Sequence, residues 1–214
     1  MKLYYSPGAC SLASHIILAE CAAAAGFTFE TQLVSAADGS AQKPEHLARN
    51  PKGQVPVLEN GDFTLTENQA ILVFLAREYP QANVLPAGNV ALARAMEWIN
   101  WLTASVHAQH VGQVWRSVRF SDDTAAHPSI IAKGKQHVEK SFATIEAKLT
   151  GKTWALNETF SIVDAFIVVF YRWGNRMGYD MNALYPNWAA HTVRMLARPA
   201  VQQAFATEGI VITG

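Results

Sequence analysis

Charge is sparse in this chain and favours neither sign: 16% of its 214 residues are charged, with 17 Lys plus Arg against 17 Asp plus Glu. A balanced surface lacks the attraction that holds proteins on nucleic acid or anionic lipid, so neither partner is expected. Long apolar runs are also lacking. No stretch approaches the ~20 residues that cross a bilayer, and the opening MKLYYSPGAC has no apolar core of the kind a secretory leader needs. Cysteine is limited to Cys10 and Cys21, too few for a disulfide scaffold, so a reducing cytoplasm is the expected compartment. Ser11, Leu12 and Ala13 follow Cys10, which excludes a Cys-x-x-Cys dithiol; a redox cycle there needs an external thiol. The histidines form no His-x-x-x-His pattern with a carboxylate. His107 and His110 come nearest, and no metal is expected.

Apolar substance is plentiful. Half the residues are hydrophobic, enough for a sizeable core in one large domain or two small ones. The first part alternates strand and helix signals. Lys2–Tyr5 reads as a strand, broken by Pro7 and Gly8. Ser11–Ala25 reads as a helix, with Leu12, Ile16 and Ala19 on one face and Gly26 as its stop. Residues 28–34 read as a second strand, and 36–50 as a loop or irregular helix. Val55-Pro56-Val57-Leu58 and Phe63-Thr64-Leu65-Thr66 flank Asn60-Gly61, a strong hairpin signal, and a helix follows over 67–79. The order β-α-β-(α)-β-β-α makes a small mixed sheet with helices against it. Beyond a linker at 81–88, helices are expected over 89–118, 128–149, 161–177, 186–197 and 199–206. Pro128, Pro186 and Pro199 suit first turns. The expected organisation is an α/β domain at 1–80 and an all-α domain at 89–214.

Cys10 lies between a Pro-Gly break and a helix start. Unpaired N–H groups and the helix dipole favour thiolate there, so a lowered pKa is expected; the alternative is a small buried filler. Cys21, mid-helix among alanines, reads as packing. Pro56 pushes Val55 to extended geometry, leaving backbone groups that can bind a peptide edge-on. Thr66-Glu67-Asn68 opens a helix that can take a carboxylate at its N-terminus and an ammonium at Glu67; the alternative is an ordinary cap at Thr66. Asn100, His107 and His110 lie among Trp98, Ile99, Trp101 and Val106 on a helix that faces a cleft or a partner. Ser161-x-x-Asp164 reads as a capping box.

Taken together, these stretches resemble the glutathione transferase family, and within it the bacterial beta class, over nearly the whole chain. MKLYYSPGACSLASHI resembles the family's first strand and helix entry, with the class cysteine at Cys10. NPKGQVPVLENG at 50–61 is similar to its glutathione-backbone segment, whose proline, here Pro56, is normally cis. LTENQAI at 65–71 resembles its Thr-Glu-Ser-x-Ala-Ile motif, EWINWLTASVHAQH at 97–110 its histidine-bearing helix, and FSIVDAF at 160–166 its core capping box.

The resemblance implies a thioredoxin-like domain followed by an all-helical one, and glutathione as co-substrate with no metal. It implies a homodimer that conjugates glutathione to electrophilic, mostly apolar small molecules, with disulfide reduction through a mixed disulfide at Cys10 as a further activity. By the resemblance, Cys10, Ser11 and His107 act at the sulfur. Val55 and Pro56 hold the cysteinyl part, Glu67 and Asn68 the γ-glutamyl group, and Asn100 reaches the partner subunit's site. Val111, Trp115 and Trp173 are expected to wall the second-substrate pocket. Asn68 stands where the family has Ser, and the loop at 35–39 lacks the usual basic residue, for which Lys52 or His107 can substitute. A non-catalytic binding or scaffold protein on the same fold is the competing reading.

Overall fold

The computed structural model describes residues 1–157 and 159–212. Four short strands form one mixed sheet: β1 (Lys2–Tyr5), β2 (Glu30–Leu33), β3 (Val57–Asn60) and β4 (Phe63–Thr66), in the order β2-β1-β3-β4. β1 and β2 are parallel, with Leu3 opposite Thr31; β3 runs antiparallel to both β1 and β4. The parallel pair requires a crossover, which is α1 (Ser11–Ala25). The antiparallel pair needs only the Gly61-Asp62 turn, with Asn60 opposite Phe63.

α1 is buried on nearly every side from Ser11 to Cys21, as its almost uninterrupted apolar sequence requires. It packs against α3 (Asn68–Glu78) and, from the helical part, against α7 (Ile162–Arg176) and α10 (Pro199–Glu208). One apolar core therefore runs from Leu3 and Leu58 through Ile16 and Leu72 to Phe166 and Trp188. The segment at 36–50, expected to be loop or irregular helix, contains a turn at Ser40–Gln42 and α2 (Pro44–Arg49).

The helical part begins with α4 (Asn89–Trp101), which widens without a break into π-helical bonding over Leu102–Val111 and closes as α5 (Gly112–Trp115). The helix expected to reach residue 118 therefore ends earlier. Arg116 leaves helical geometry at φ −143°, a 3-10 turn takes Ser117–Arg119, and Phe120 folds back over Gly112. α6 (His127–Leu149), α7, α8 (Met181–Leu184), α9 (Pro186–Leu196) and α10 follow; α8 had no signal in the sequence reading. Among the described residues no helix is long and apolar enough to cross a membrane.

Candidate active site

The loop between β1 and α1 carries Cys10. It turns at Ser6, where Ala9 N–H donates to the Ser6 carbonyl at 3.0 Å. Gly8 takes φ +63°, which favours glycine, and an added Cβ would lie 2.2 Å from the Arg172 guanidinium and displace it. The Gly8 peptide is clasped from both sides. Its N–H donates to Glu208 Oε2 at 2.7 Å, and its carbonyl accepts from Trp173 Nε1 at 2.8 Å and Arg172 Nη1 at 3.2 Å. Glu208 is buried at the end of α10, its other oxygen 2.9 Å from His15 Nδ1. Of these partners of Gly8, Trp173 was expected as pocket wall, and Arg172 and Glu208 were not singled out from sequence. The charge of Glu208 at a helix end near the carboxyl terminus gives no sign of its burial.

Cys10 occupies the cap position of α1 and is partly exposed. Its thiol donates to the Val55 carbonyl at 3.7 Å. The expected low pKa is not found. Burial pushes the thiol up to about 11, against the opposing pull of Arg116 and of the backbone N–H groups of Ser11 and Cys10 itself. The helix start acts in the predicted direction, but desolvation outweighs it. The Ser11 hydroxyl, expected near the sulfur, is fully buried and turned away: it accepts from Ser6 N–H at 3.1 Å and donates to the Ser6 carbonyl at 3.3 Å. Only its backbone N–H acts on the thiol.

Val55 precedes Pro56 across a cis peptide bond. The segment leading to it is held by His46 Nε2 and Asn50 Nδ2, at 3.0 and 2.8 Å from the Gln54 carbonyl. Val55 lies just outside β3, so the ladder does not use its backbone groups.

Across from Cys10, α3 starts at Asn68. Thr66 is not its cap; that position belongs to Glu67, with φ +72° and no side-chain capping bond. A positive φ at a non-glycine residue costs about 1–3 kcal/mol and tends to persist where function needs it. The Glu67 carboxylate is paired with Lys52, whose Nζ also donates to Thr66 Oγ1 at 3.2 Å. Lys52 is therefore engaged at the Glu67 end rather than near the loop at 35–39. Asn68 is buried, its Oδ1 accepting from Ser14 Oγ at 2.7 Å, while Nδ2 has no partner among the described residues.

His107, on the π-helical stretch, packs its ring against Trp173 at 5.1 Å between centroids. Burial, then Arg116 and Arg119, push its pKa down to about 4, so the ring is neutral near pH 7. His110 points elsewhere: Nδ1 lies 2.9 Å from Ser141 Oγ in a cavity lined by Trp98, Trp101 and Lys140. Of the expected second-substrate wall, Trp115 is exposed and stands 5.5 Å from Trp173. Trp173 is buried and anchors Gly8. Val111 is core rather than wall, buried to 3% exposure. Asn100 is exposed on a separate apolar groove with Phe63, Leu65, Val73, Phe74 and Met96. The structure thus gathers Cys10 with Val55, Lys52 with Glu67, and His107 with Trp173 and Trp115, and sets Asn100 apart.

Comparison with known proteins bears directly on this arrangement. Residues 1–77 match the glutathione S-transferase N-terminal domain and residues 121–199 the glutathione S-transferase C-terminal domain. Glutathione S-transferase GstA of Escherichia coli O157:H7 is 33% identical, over 98% of this chain and 100% of its own length. The chain belongs to the glutathione S-transferase family. Its fold is that of the family. A sphingomonad glutathione S-transferase solved in complex with glutathione aligns with TM-score 0.83 and 33% identity, covering 99% of this chain and 100% of that one. The bacterial beta class glutathione S-transferase of Sphingomonas chungbukensis aligns with TM-score 0.84 and 32% identity, again over 99% and 100%. In the glutathione S-transferase frame, the thiol–carbonyl contact between Cys10 and Val55 joins the first helix to the segment before the cis proline.

Proposed function

We propose that this chain is a beta-class glutathione transferase that binds glutathione between Cys10, Val55 and the start of α3 and conjugates it to small electrophiles. The observation that carries the reading is the Cys10–Val55 contact at 3.7 Å, with a strained Glu67 and a free buried amide of Asn68. In this reading Val55 offers its backbone to the cysteinyl part beside Pro56. Glu67 takes the γ-glutamyl ammonium, exchanging Lys52 for it, and Asn68 with the first N–H groups of α3 takes the carboxylate. His107 stays neutral beside the sulfur.

Conjugation needs the glutathione thiolate. With its own pKa held near 11, the Cys10 thiol is a donor at neutral pH. It can give its proton in a hydrogen bond to the glutathione sulfur together with the backbone N–H of Ser11, stabilising the thiolate as it attacks. A mixed disulfide at Cys10 needs the Cys10 thiolate, which is scarce at that pKa. Conjugation is therefore the main activity and disulfide reduction the lesser one. The transferase names of relatives at this identity favour catalysis over the scaffold alternative.

The same reading divides the chain into a glutathione-binding domain at 1–80, a linker at 81–88 and a helical domain at 89–214, and makes it a cytoplasmic homodimer. The dimer is supported by the apolar groove around exposed Phe63, with Asn100 at its edge. The test is conjugation of a chloronitrobenzene-type electrophile as a function of pH. Cys10→Ala should lower kcat/KM about tenfold, the effect of one hydrogen bond to a charged group, and raise the apparent glutathione pKa by about one unit. Cys10→Ser should restore most of the loss. A Cys10→Ala enzyme with an unchanged pH profile contradicts the donor role.

A further inference from the structure

Arginine gathers on the open side of Cys10. Trp115 and Trp173 stand 5.5 Å apart in an edge-on pair, and Trp173 is tied to the Cys10 loop through the Gly8 carbonyl. Arg116 and Arg119 follow Trp115 on the turn after α5, both exposed. Arg116 is near enough to act on Cys10 and His107, and Arg119 acts on His107 and Arg116. From α7 come Arg172 and Arg176, four residues apart and so on one face. Arg172 reaches Gly8, and the Arg176 guanidinium lies over the Trp115 ring at 5.4 Å.

Elsewhere three of five arginines are paired, Arg49 with Glu59, Arg94 with Glu97 and Arg198 with Glu20, while Arg194 is held by the Thr153 carbonyl. Among the described residues, Arg116, Arg119, Arg172 and Arg176 form no salt bridge. The buried Glu208 offsets part of the charge of Arg172, which leaves Arg116, Arg119 and Arg176. Guanidinium groups do not lose their protons in this range, so the group keeps its mutual repulsion. A chain with formal net charge zero thus concentrates uncompensated positive charge on one aromatic surface. An incoming anion relieves that repulsion, and the exposed Trp115 ring accepts a flat body beside it.

We propose that the second-substrate region accepts electrophiles bearing a carboxylate on an aromatic or conjugated body, with Trp115 taking the body and Arg116, Arg119 and Arg176 the carboxylate. This revises the expectation of a mostly apolar substrate, and it rests on the glutathione site proposed above.

The test compares 4-chloro-3,5-dinitrobenzoate with neutral 1-chloro-2,4-dinitrobenzene. In each, the glutathione sulfur forms the new carbon–sulfur bond, chloride leaves with its electron pair and the thiol proton goes to solvent. Each kcat/KM is divided by the uncatalysed rate with glutathione in the same buffer. The corrected ratio should favour the benzoate by about tenfold at low salt and shrink as ionic strength rises. Arg119→Gln and Arg176→Gln should each lower it, by up to about fivefold, and Arg119→Lys should recover part of the loss. A ratio near one, or one that neither substitution moves, overturns the proposal. So does a rise in the KM for glutathione with the ratio unchanged, which would assign these arginines to glutathione's own carboxylate. If neither electrophile is consumed although glutathione binds, calorimetry with the two S-aryl glutathione products decides, and equal affinities overturn it. If glutathione itself does not bind, the underlying site falls, and this inference with it.

Discussion

Cys10 is governed by opposed influences of different range. The start of α1 and Arg116 favour the thiolate, while enclosure favours the thiol and prevails, near pKa 11. Folding raises this pKa from its ordinary value of 9.0. The contribution of this group to stability is therefore intact below about pH 9 and is lost as pH rises through 11. Its alkylation by iodoacetamide, followed by peptide mass, should accelerate about tenfold per pH unit from 7 to 10, with the thiolate fraction. A plateau below pH 8 contradicts this. The position of Cys10 was legible in the sequence, since a Pro-Gly break before an apolar helix is local. Its protonation was not, because the groups that act on it, Val55, Glu67 and Arg116, arrive from other parts of the chain. Ser11 shows the same limit: its place was legible, but not the turn at Ser6 that takes its hydroxyl.

At the scale of elements, α7 is the clearest case of a local signal that the fold extends. Ser161-x-x-Asp164 does form a capping box. Asp164 also accepts from Ala155 N–H at 2.7 Å and lies 2.8 Å from His191 Nε2, all fully buried. Asp164→Ala therefore removes more than a cap. It strands buried donors at about 1–3 kcal/mol each, so a loss of at least ~3 kcal/mol is expected in chemical denaturation; a loss near ~1 kcal/mol would mean that cap alone matters. The box was legible because its partners are three residues apart. His191 was not, because nothing local links it to α7. The hairpin was legible for the same local reason, although its turn is Gly61-Asp62 rather than Asn60-Gly61. The start of α3 was misread by one residue, because Thr66 is a good cap by type while the backbone turns at Glu67 instead.

At the scale of the molecule, the loop of Cys10 is assembled from both ends of the chain. Gly8 is held by Trp173 and Arg172 of α7 and by Glu208 of α10, so the helical part sets the position of a residue in the first turn after β1. Sequence order revealed the sheet followed by helices, but the clasp joins residues too far apart for any spacing to reveal. The same distance hid the arginines, which fall on the turn after α5 and on α7 and become a group only in the fold. The central claim is that glutathione occupies the space between Cys10, Val55 and Glu67, and isothermal titration with glutathione tests it most directly. Saturable heat at millimolar glutathione or below is predicted for the native chain, with affinity about tenfold weaker in Glu67→Gln, where the bond to the γ-glutamyl ammonium loses its charge; no heat at millimolar glutathione, or equal affinity in the two proteins, would contradict it.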